Sequence, residues 1–214
     1  QGCRAMFESG SRTRSGLLIW MSHPCWPTMV WQTYDYYLDP TAAYFGVKKA
    51  CEPLHIQLNA LTDSVEVVNL FAGEHSALTA IATLYDAVTG KRLWTKQTKV
   101  DSGDDSTVPV IGGEWKAESG KRKVERGVWL LRLQLKDKGS VVSENDYFIG
   151  SEEGNYSALT TLPQPVLSQS MKTIDTVDGH KATLTVRNSG RTPAPFLRLN
   201  LKGEDGVEIE KSNV

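Results

Sequence analysis

The sequence has no long apolar run, since its longest is the five residues Leu17-Leu18-Ile19-Trp20-Met21. A helix that spans a bilayer needs about 20 such residues, so no membrane segment is predicted. An excess of charge of one sign is also lacking, because 24 Lys and Arg stand against 25 Asp and Glu in 214 residues. With a net charge of -1, no overall field attracts nucleic acid or an anionic membrane, and neither is predicted as a partner.

Cysteine is scarce and odd in number. The three cysteines lie far apart along the chain: Cys3, Cys25 and Cys51. This spacing argues against a disulfide framework and against a CxxC metal knuckle, so we expect free, buried thiols. His23 has no second His or Cys at metal-ligand spacing, and the other three histidines are scattered. No metal site and no cofactor is predicted.

Both ends of the sequence read as cuts. The chain opens without Met, directly into a helix-like run at residues 4–8. At the other end, residues 207–210 have the pattern of a strand, and the sequence stops soon after, at Val214. We therefore expect a piece of a longer protein, with an N-terminal part of the same chain missing.

Residues 1–52 are rich in aromatic residues and differ in pattern from the rest, with three of the six tryptophans and four of the seven tyrosines. The apolar run at 17–21 predicts a strand buried on both faces. From Thr41 to Cys51 the spacing of apolar residues predicts a helix. Helix, buried strand, aromatic loop and helix is the order of the last βα unit of a (β/α)8 TIM barrel, whose full length is about 250 residues.

From residue 53 onward the hydrophobic period changes from 3.6 to 2, as in Trp129 to Lys136. Six or seven short strands separated by turn signals predict an immunoglobulin-like β-sandwich over 53–155. A second, truncated sandwich is predicted over 156–214, with strands at 170–176, 181–188 and 196–202. The strands predicted for the first sandwich include 54–59, 65–71, 78–85, 92–100, 129–136 and 141–149. The predicted fold class is mainly β, with immunoglobulin-like sandwiches preceded by the barrel end.

Candidate functional residues lie at the end of the predicted strand and just after it, where barrel enzymes place their active sites. They are Trp20, Ser22, His23 and Trp26. A tryptophan offers a flat apolar face that suits a pyranose ring, and His23 is able to bind a hydroxyl or transfer a proton. For the tryptophans, plain packing in a core is the alternative that composition favours.

The other chemical signals are weaker. Glu8 and Asp35 are the carboxylates nearest this strand, and each is interpreted as a surface or packing group, so no catalytic residue is predicted. The acidic turn at 102–105 is interpreted as a solvated turn, with a calcium site as the weaker alternative. The basic run at 121–123 is typical of a solvated hairpin tip. Asn155-Tyr156-Ser157 matches the N-glycosylation sequon, a pattern that is frequent by chance.

Several motifs together resemble family 2 glycoside hydrolases, in particular the branch of exo-β-glucosaminidases and β-mannosidases. They are Arg4-Ala5-Met6-Phe7-Glu8, Gly16-Leu17-Leu18-Ile19-Trp20-Met21, Trp26-Pro27, Trp31, Tyr34-Asp35-Tyr36-Tyr37 and the run from Ala43 to Pro53. The resemblance covers about the first 55 residues at the level of motifs, while the sandwiches agree with the family only in kind and order.

The resemblance implies sandwich domains around a central barrel that hydrolyses O-glycosyl bonds with retention. Two carboxylates on earlier strands, about 5–5.5 Å apart, would be nucleophile and acid/base, and this chain would start after both. It implies that Trp20, Ser22 and His23 lie beside the sugar and that Trp26 shapes the wall. The branch often has Asn-Asn where this chain has His23-Pro24, so β-glucosaminides, β-mannosides and β-galactosides all stay open as substrates. A periplasmic or extracellular location is also implied.

A second hypothesis is a non-catalytic carbohydrate-binding or adhesion module. In that case exposed aromatic residues of the sandwich would bind glycans, with Trp94, Trp115 and Trp129 as the candidates. Trp129 alternates with leucines, which predicts burial. A purely structural or interaction domain has no positive support in the sequence.

Overall fold

The computed structural model describes residues 18–28, 32–116, 127–151, 154–177 and 179–190. Shorter described stretches follow at 192–195, 201–203, 205–206 and 208–210, with single residues at 197 and 199. The helix predicted at the N-terminus therefore lies outside the described residues, and so do Trp31 and the basic run at 121–123.

Helix α1 spans Ala42–Ala50, within the range predicted from apolar spacing. Thr41 caps its N-terminus, because its hydroxyl accepts a hydrogen bond from the backbone N–H of Ala43. Lys48 and Lys49 occupy the last turn, where a cation interacts favourably with the helix dipole. The sequence prediction of this helix is confirmed.

In the described residues, seven strands follow α1 and form a β-sandwich. They are β1 (Leu54–Asn59), β2 (Ser64–Asn69), β3 (His75–Asp86), β4 (Arg92–Ser102), β5 (Ser106–Ile111), β6 (Val128–Asp137) and β7 (Ser140–Gly150). They pair in a three-stranded sheet of order β1-β2-β5 and a four-stranded sheet of order β4-β3-β6-β7. The pairings are antiparallel throughout. Mainly antiparallel β structure is as the sequence predicted.

The core lies between the two sheets. Ile56, Val65 and Val67 of the smaller sheet and Leu131 and Leu133 of the larger sheet are fully buried there. Burying one such side chain contributes about 1.5–3 kcal/mol relative to exposure, so this layer supplies most of the driving force for folding.

The β6–β7 turn shows how local sequence sets strand register. The two residues between these strands, Lys138 and Gly139, have φ values of 47° and 88°. Two positive φ values define the two-residue turn whose twist matches that of the flanking strands, and glycine adopts this conformation without steric cost.

After the sandwich, a 3-10 helix spans Ser157–Thr161 and four further strands form two hairpins. They are β8 (Leu167–Thr176), β9 (Gly179–Asn188), β10 (Leu201–Lys202) and β11 (Glu208–Glu210). β8 pairs with β9 and β10 with β11, in two separate two-stranded sheets. Every residue of β8 is exposed. A two-stranded sheet on its own buries little apolar surface.

Two expectations about residues 1–52 are wrong where the structure describes them. Residues 18–21 form no strand, and Leu18 is 99% exposed. A strand buried on both faces needs neighbours on either side, and the prediction assumed a surrounding barrel that a chain of this length does not supply. Cys25 and Cys51 are free but exposed, not buried, and Cys3 lies outside the described residues. Cys51 is the C-cap of α1.

Within the described part of the chain, no helix is long and apolar enough to cross a membrane.

Candidate functional site

The four predicted site residues lie in one exposed segment before α1. Trp20 is 77% exposed and Trp26 is 68% exposed. Ser22 and His23 are also exposed, and the Ser22 hydroxyl lies 3.1 Å from His23 Nδ1. The peptide bond between Trp20 and Met21 is cis. The tryptophans are thus not packed in a core in this structure, which leaves their faces available to a ligand.

The backbone of Ser22 anchors this segment to the aromatic loop that follows. Its carbonyl oxygen accepts hydrogen bonds from the backbone N–H of Tyr34 at 2.9 Å and from the Thr33 hydroxyl at 3.0 Å. Two donors on one carbonyl fix its position, so the hydroxyl of Ser22 and the ring of His23 project from a held backbone.

The aromatic loop is closed by the carboxylate of Asp35. Its Oδ1 accepts hydrogen bonds from the backbone N–H groups of Tyr37 and Asp39, both at 2.9 Å. Such a side-chain turn is a structural use of aspartate. In this structure Asp35 therefore holds the turn of the loop through its Oδ1.

Tyr36 and Tyr37 stand on this loop with ring centroids 5.2 Å apart in an edge-to-face arrangement. With Pro27, Thr28 and Asp35 they line an open cleft of about 310 Å³. Sequence reasoning did not place these two tyrosines in a site, although their position in a loop beside the predicted sugar-binding residues was a signal for it. The predicted residues Trp20, Ser22, His23 and Trp26 do not line this cleft.

Glu52, immediately after α1 and its C-cap, joins the helix to the sandwich. Its Oε1 accepts a hydrogen bond from Lys49 Nζ at 2.8 Å. Its Oε2 accepts one from the Ser143 hydroxyl at 2.6 Å and lies 3.1 Å from His55 Nδ1. Partial burial acts to raise the pKa of Glu52, but the hydrogen bonds from these three side chains outweigh it and leave the pKa below its ordinary value.

We call the contacts of Glu52 with Lys49, His55 and Ser143 the joint between helix and sandwich. Side chains of β7 extend it by covering the free edge of β1. The Ser143 hydroxyl accepts from Ile56 N–H at 3.2 Å, Asn145 Nδ2 donates to the Ile56 carbonyl at 2.6 Å, and the Tyr147 hydroxyl accepts from Leu58 N–H at 3.0 Å. An edge strand whose backbone groups are paired in this way is closed to further strands. Burial raises the pKa of Tyr147 to about 12.

Asn145 also sets the tautomer of the buried His55. The Asn145 atom that donates to the Ile56 carbonyl is its amide nitrogen, Nδ2. The same nitrogen lies 3.2 Å from His55 Nε2, so His55 Nε2 accepts a hydrogen bond from it. The hydrogen of His55 is then on Nδ1 and points to Glu52. This histidine is therefore a structural group of the joint.

The carboxylate of Glu66 on β2 is buried and also accepts hydrogen bonds. Asn59 Nδ2 and the Ser64 hydroxyl donate to its Oε1 at 3.0 and 3.2 Å, and Gln57 Nε2 donates to its Oε2 at 3.3 Å. Both oxygens have donors, so Glu66 is a structural acceptor. No group of three or more His, Cys, Asp or Glu side chains in the described residues is arranged to hold a metal ion.

The tryptophans of the sandwich are mostly inside it. Trp115 is 2% exposed and Trp129 is 8% exposed, which confirms the burial predicted for Trp129. The indole N–H of Trp115 donates to the Asp63 carbonyl at 3.0 Å. Trp94 packs against the core and is partly buried. Two of the three aromatic candidates for a sugar-binding sandwich face therefore offer no face to solvent.

No family model matches the chain. The chain is nevertheless homologous over 92% of its length to an exo-β-D-glucosaminidase and over 63% of its length to a β-mannosidase, which confirms the resemblance recognised in its motifs. It is 31% identical over 221 residues to an exo-β-D-glucosaminidase of Amycolatopsis orientalis, a match that covers 92% of this chain and 21% of that protein. It is 28% identical over 135 residues to a mannosylglycoprotein endo-β-mannosidase of Lilium longiflorum, covering 63% of this chain and 14% of that protein.

Among solved structures, the fold matches the exo-chitosanase CsxA of Amycolatopsis orientalis with a TM-score of 0.73 and 28% identity. That match covers 96% of this chain and 27% of the other. The chain thus spans about a quarter or less of the length of these relatives.

Proposed function

We propose that this chain is part of a retaining β-glycoside hydrolase that removes sugars from the non-reducing end of β-glucosaminides, β-mannosides or β-galactosides. The observation that carries the proposal is the homology with an exo-β-D-glucosaminidase along 92% of the chain. The fold likeness to an exo-chitosanase over almost the whole chain supports it as well.

The chain alone is proposed to be inactive. Retaining hydrolysis requires two carboxylates about 5–5.5 Å apart on either side of the scissile bond. In the described residues near the candidate site, Asp35 is engaged by two backbone donors, and Glu52 is engaged by three side chains. The catalytic pair would belong to the part of the relatives that this chain does not span.

Trp20, Ser22, His23 and Trp26 are proposed to contact the sugar. An exposed indole stacks on the C–H face of a pyranose, which supplies apolar contact without a charge. The hydroxyl of Ser22 and the ring of His23 supply polar partners for the sugar hydroxyls. In this arrangement the chain provides binding and orientation for a reaction carried out by groups outside it.

A binding module that uses the sandwich face is favoured by no specific observation, because Trp115 and Trp129 are buried. A periplasmic or extracellular location is part of the proposal and is supported only by the resemblance.

The test is hydrolysis of a panel of aryl β-glycosides: glucosaminide, mannoside, galactoside and glucuronide. The panel is given to the 214-residue chain and, in parallel, to the product of the same gene extended upstream through a whole barrel. Turnover by the extended protein alone is expected, and the preferred sugar identifies the enzyme. Turnover by this chain alone would overturn the proposed inactivity. Absence of turnover by both proteins would overturn the proposal that the longer protein is a hydrolase.

A further inference from the structure

The chain contains one Asn-x-Ser/Thr tripeptide, Asn155-Tyr156-Ser157, and its middle residue is not proline. This pattern is the acceptor sequence for N-linked glycans, but a pattern alone is weak evidence. The hydrogen bonds and the exposure of the tripeptide in the fold therefore decide whether it can act as an acceptor.

The two functional side chains of the tripeptide contact each other. The Ser157 hydroxyl donates a hydrogen bond to Asn155 Oδ1 at 2.8 Å, and the Ser157 backbone N–H donates to the same oxygen at 3.2 Å. Both donors act on the carbonyl oxygen of the amide. Withdrawal of electron density toward that oxygen makes the N–H of the same amide group easier to deprotonate.

The tripeptide also lies on a surface connection. It follows the end of β7 at Gly150 and leads into the 3-10 helix Ser157–Thr161, so it takes part in no strand ladder. Tyr156 is 44% exposed, Gly154 and Ser157 are exposed, and Asn155 is partly exposed. A glycan here would project from a surface connection between two β regions without displacing a core residue.

We propose that Asn155 is an acceptor site for an N-linked glycan when the chain enters a eukaryotic secretory pathway. The co-reactant is a lipid diphosphate-linked oligosaccharide. Asn155 Nδ2 attacks C1 of the reducing-end sugar, a C–N bond forms, and the C–O bond to the diphosphate breaks. Nδ2 loses one proton to solvent, and the lipid diphosphate leaves with the electron pair of the broken bond.

The experiment is secretory expression of the whole chain in yeast, with intact masses read on both the secreted and the cell-retained protein. Three variants accompany it: Asn155→Gln removes the acceptor, Ser157→Ala removes the hydroxyl, and Ser157→Thr keeps a hydroxyl as a matched control. A peptide N-glycosidase, which releases the glycan and leaves Asp in place of the modified Asn, identifies the position.

The expected result is a glycan mass on the wild type and on Ser157→Thr, removed by the glycosidase with conversion of Asn155 to Asp. The mass should be absent from Asn155→Gln and Ser157→Ala. An unmodified wild type in both fractions, or a glycan mass that persists in Asn155→Gln, overturns the proposal. Reading the retained fraction ensures that a variant that folds poorly still gives an answer, and none of the readouts depends on hydrolase activity.

Discussion

The carboxylate of Glu52 and the hydroxyl of Ser143 lie 2.6 Å apart, although 91 residues separate them in the sequence. One residue follows the helix that precedes the sandwich, and the other is on the last strand of the sandwich. The contact therefore ties the aromatic N-terminal region to the sandwich at the point where the chain passes between them, so the joint is held by side chains and not only by a covalent link.

Replacing Ser143 by Ala removes the donor to Glu52 and the acceptor for Ile56 N–H in one step. Leaving a buried partner unsatisfied costs about 1–3 kcal/mol, so the free energy of unfolding should fall by that amount. Urea unfolding of the variant measures it. Ser140→Ala, at an exposed position of the same strand, is the matched control and should unfold like the wild type.

Stability should also depend on the charge of Glu52. Because its pKa is lower in the folded chain than the ordinary 4.5, the carboxylate contributes stability that is present above pH 4.5. This contribution is lost as the pH falls through the folded value. Urea midpoints of the wild type and Glu52→Gln, compared from neutral to acid pH, should differ most at neutral pH and converge in acid. A gap that stays constant below pH 4.5 would contradict this.

For Tyr147 we predict that stability depends on pH in the opposite direction. Burial raises its pKa from 10.0 to about 12, so its neutral form contributes stability that is complete below pH 10 and is lost as the pH rises through about 12. Tyr147→Phe removes the acceptor of Leu58 N–H and should cost about 1–2 kcal/mol at neutral pH. The difference should shrink over this alkaline range, as followed by urea unfolding. Tyr85→Phe, on the opposite face of the same sheet, serves as the control.

Much of the sandwich could be predicted because its signals are local. The strand predicted at 54–59 matches β1, and the alternation around Trp129 identified β6. The sequence pattern does not predict strand β5, because Pro109 interrupts it. Proline is tolerated there since β5 is an edge strand, a fact that only the sheet order reveals.

The candidate site was harder to predict for two physical reasons. The strand predicted at 17–21 depended on neighbours that the chain does not contain, and residues 18–21 form none in the structure. The Glu52–Ser143 joint and the cleft beside Tyr36 and Tyr37 depend on contacts between side chains that no periodicity encodes. The resemblance to glycoside hydrolases was recognisable because motifs are local, and homology confirmed it.

If Trp20 stacks on the sugar, Trp20→Ala in the upstream-extended protein should lower kcat/KM for the preferred aryl β-glycoside by about tenfold, which corresponds to about 1.4 kcal/mol. Circular dichroism should stay unchanged, since the side chain is largely exposed in this structure. Phe71→Ala, a 78% exposed aromatic on the sandwich, is the control and should keep full activity. Equal losses in both variants would contradict a role in sugar binding.

The exposed apolar side chains before α1 predict that the isolated chain self-associates. Trp20, Trp26 and Tyr37 are each at least 65% exposed within a short segment, and a contiguous apolar patch beyond a few hundred Å² is rare on soluble monomers. Static light scattering should give an average mass that rises with concentration. The double variant Trp20→Ser, Trp26→Ser should reduce that rise. Phe71→Ser removes an apolar side chain of similar exposure outside this segment and should leave the rise unchanged. A monodisperse monomer across the concentration range would show that these side chains do not drive association.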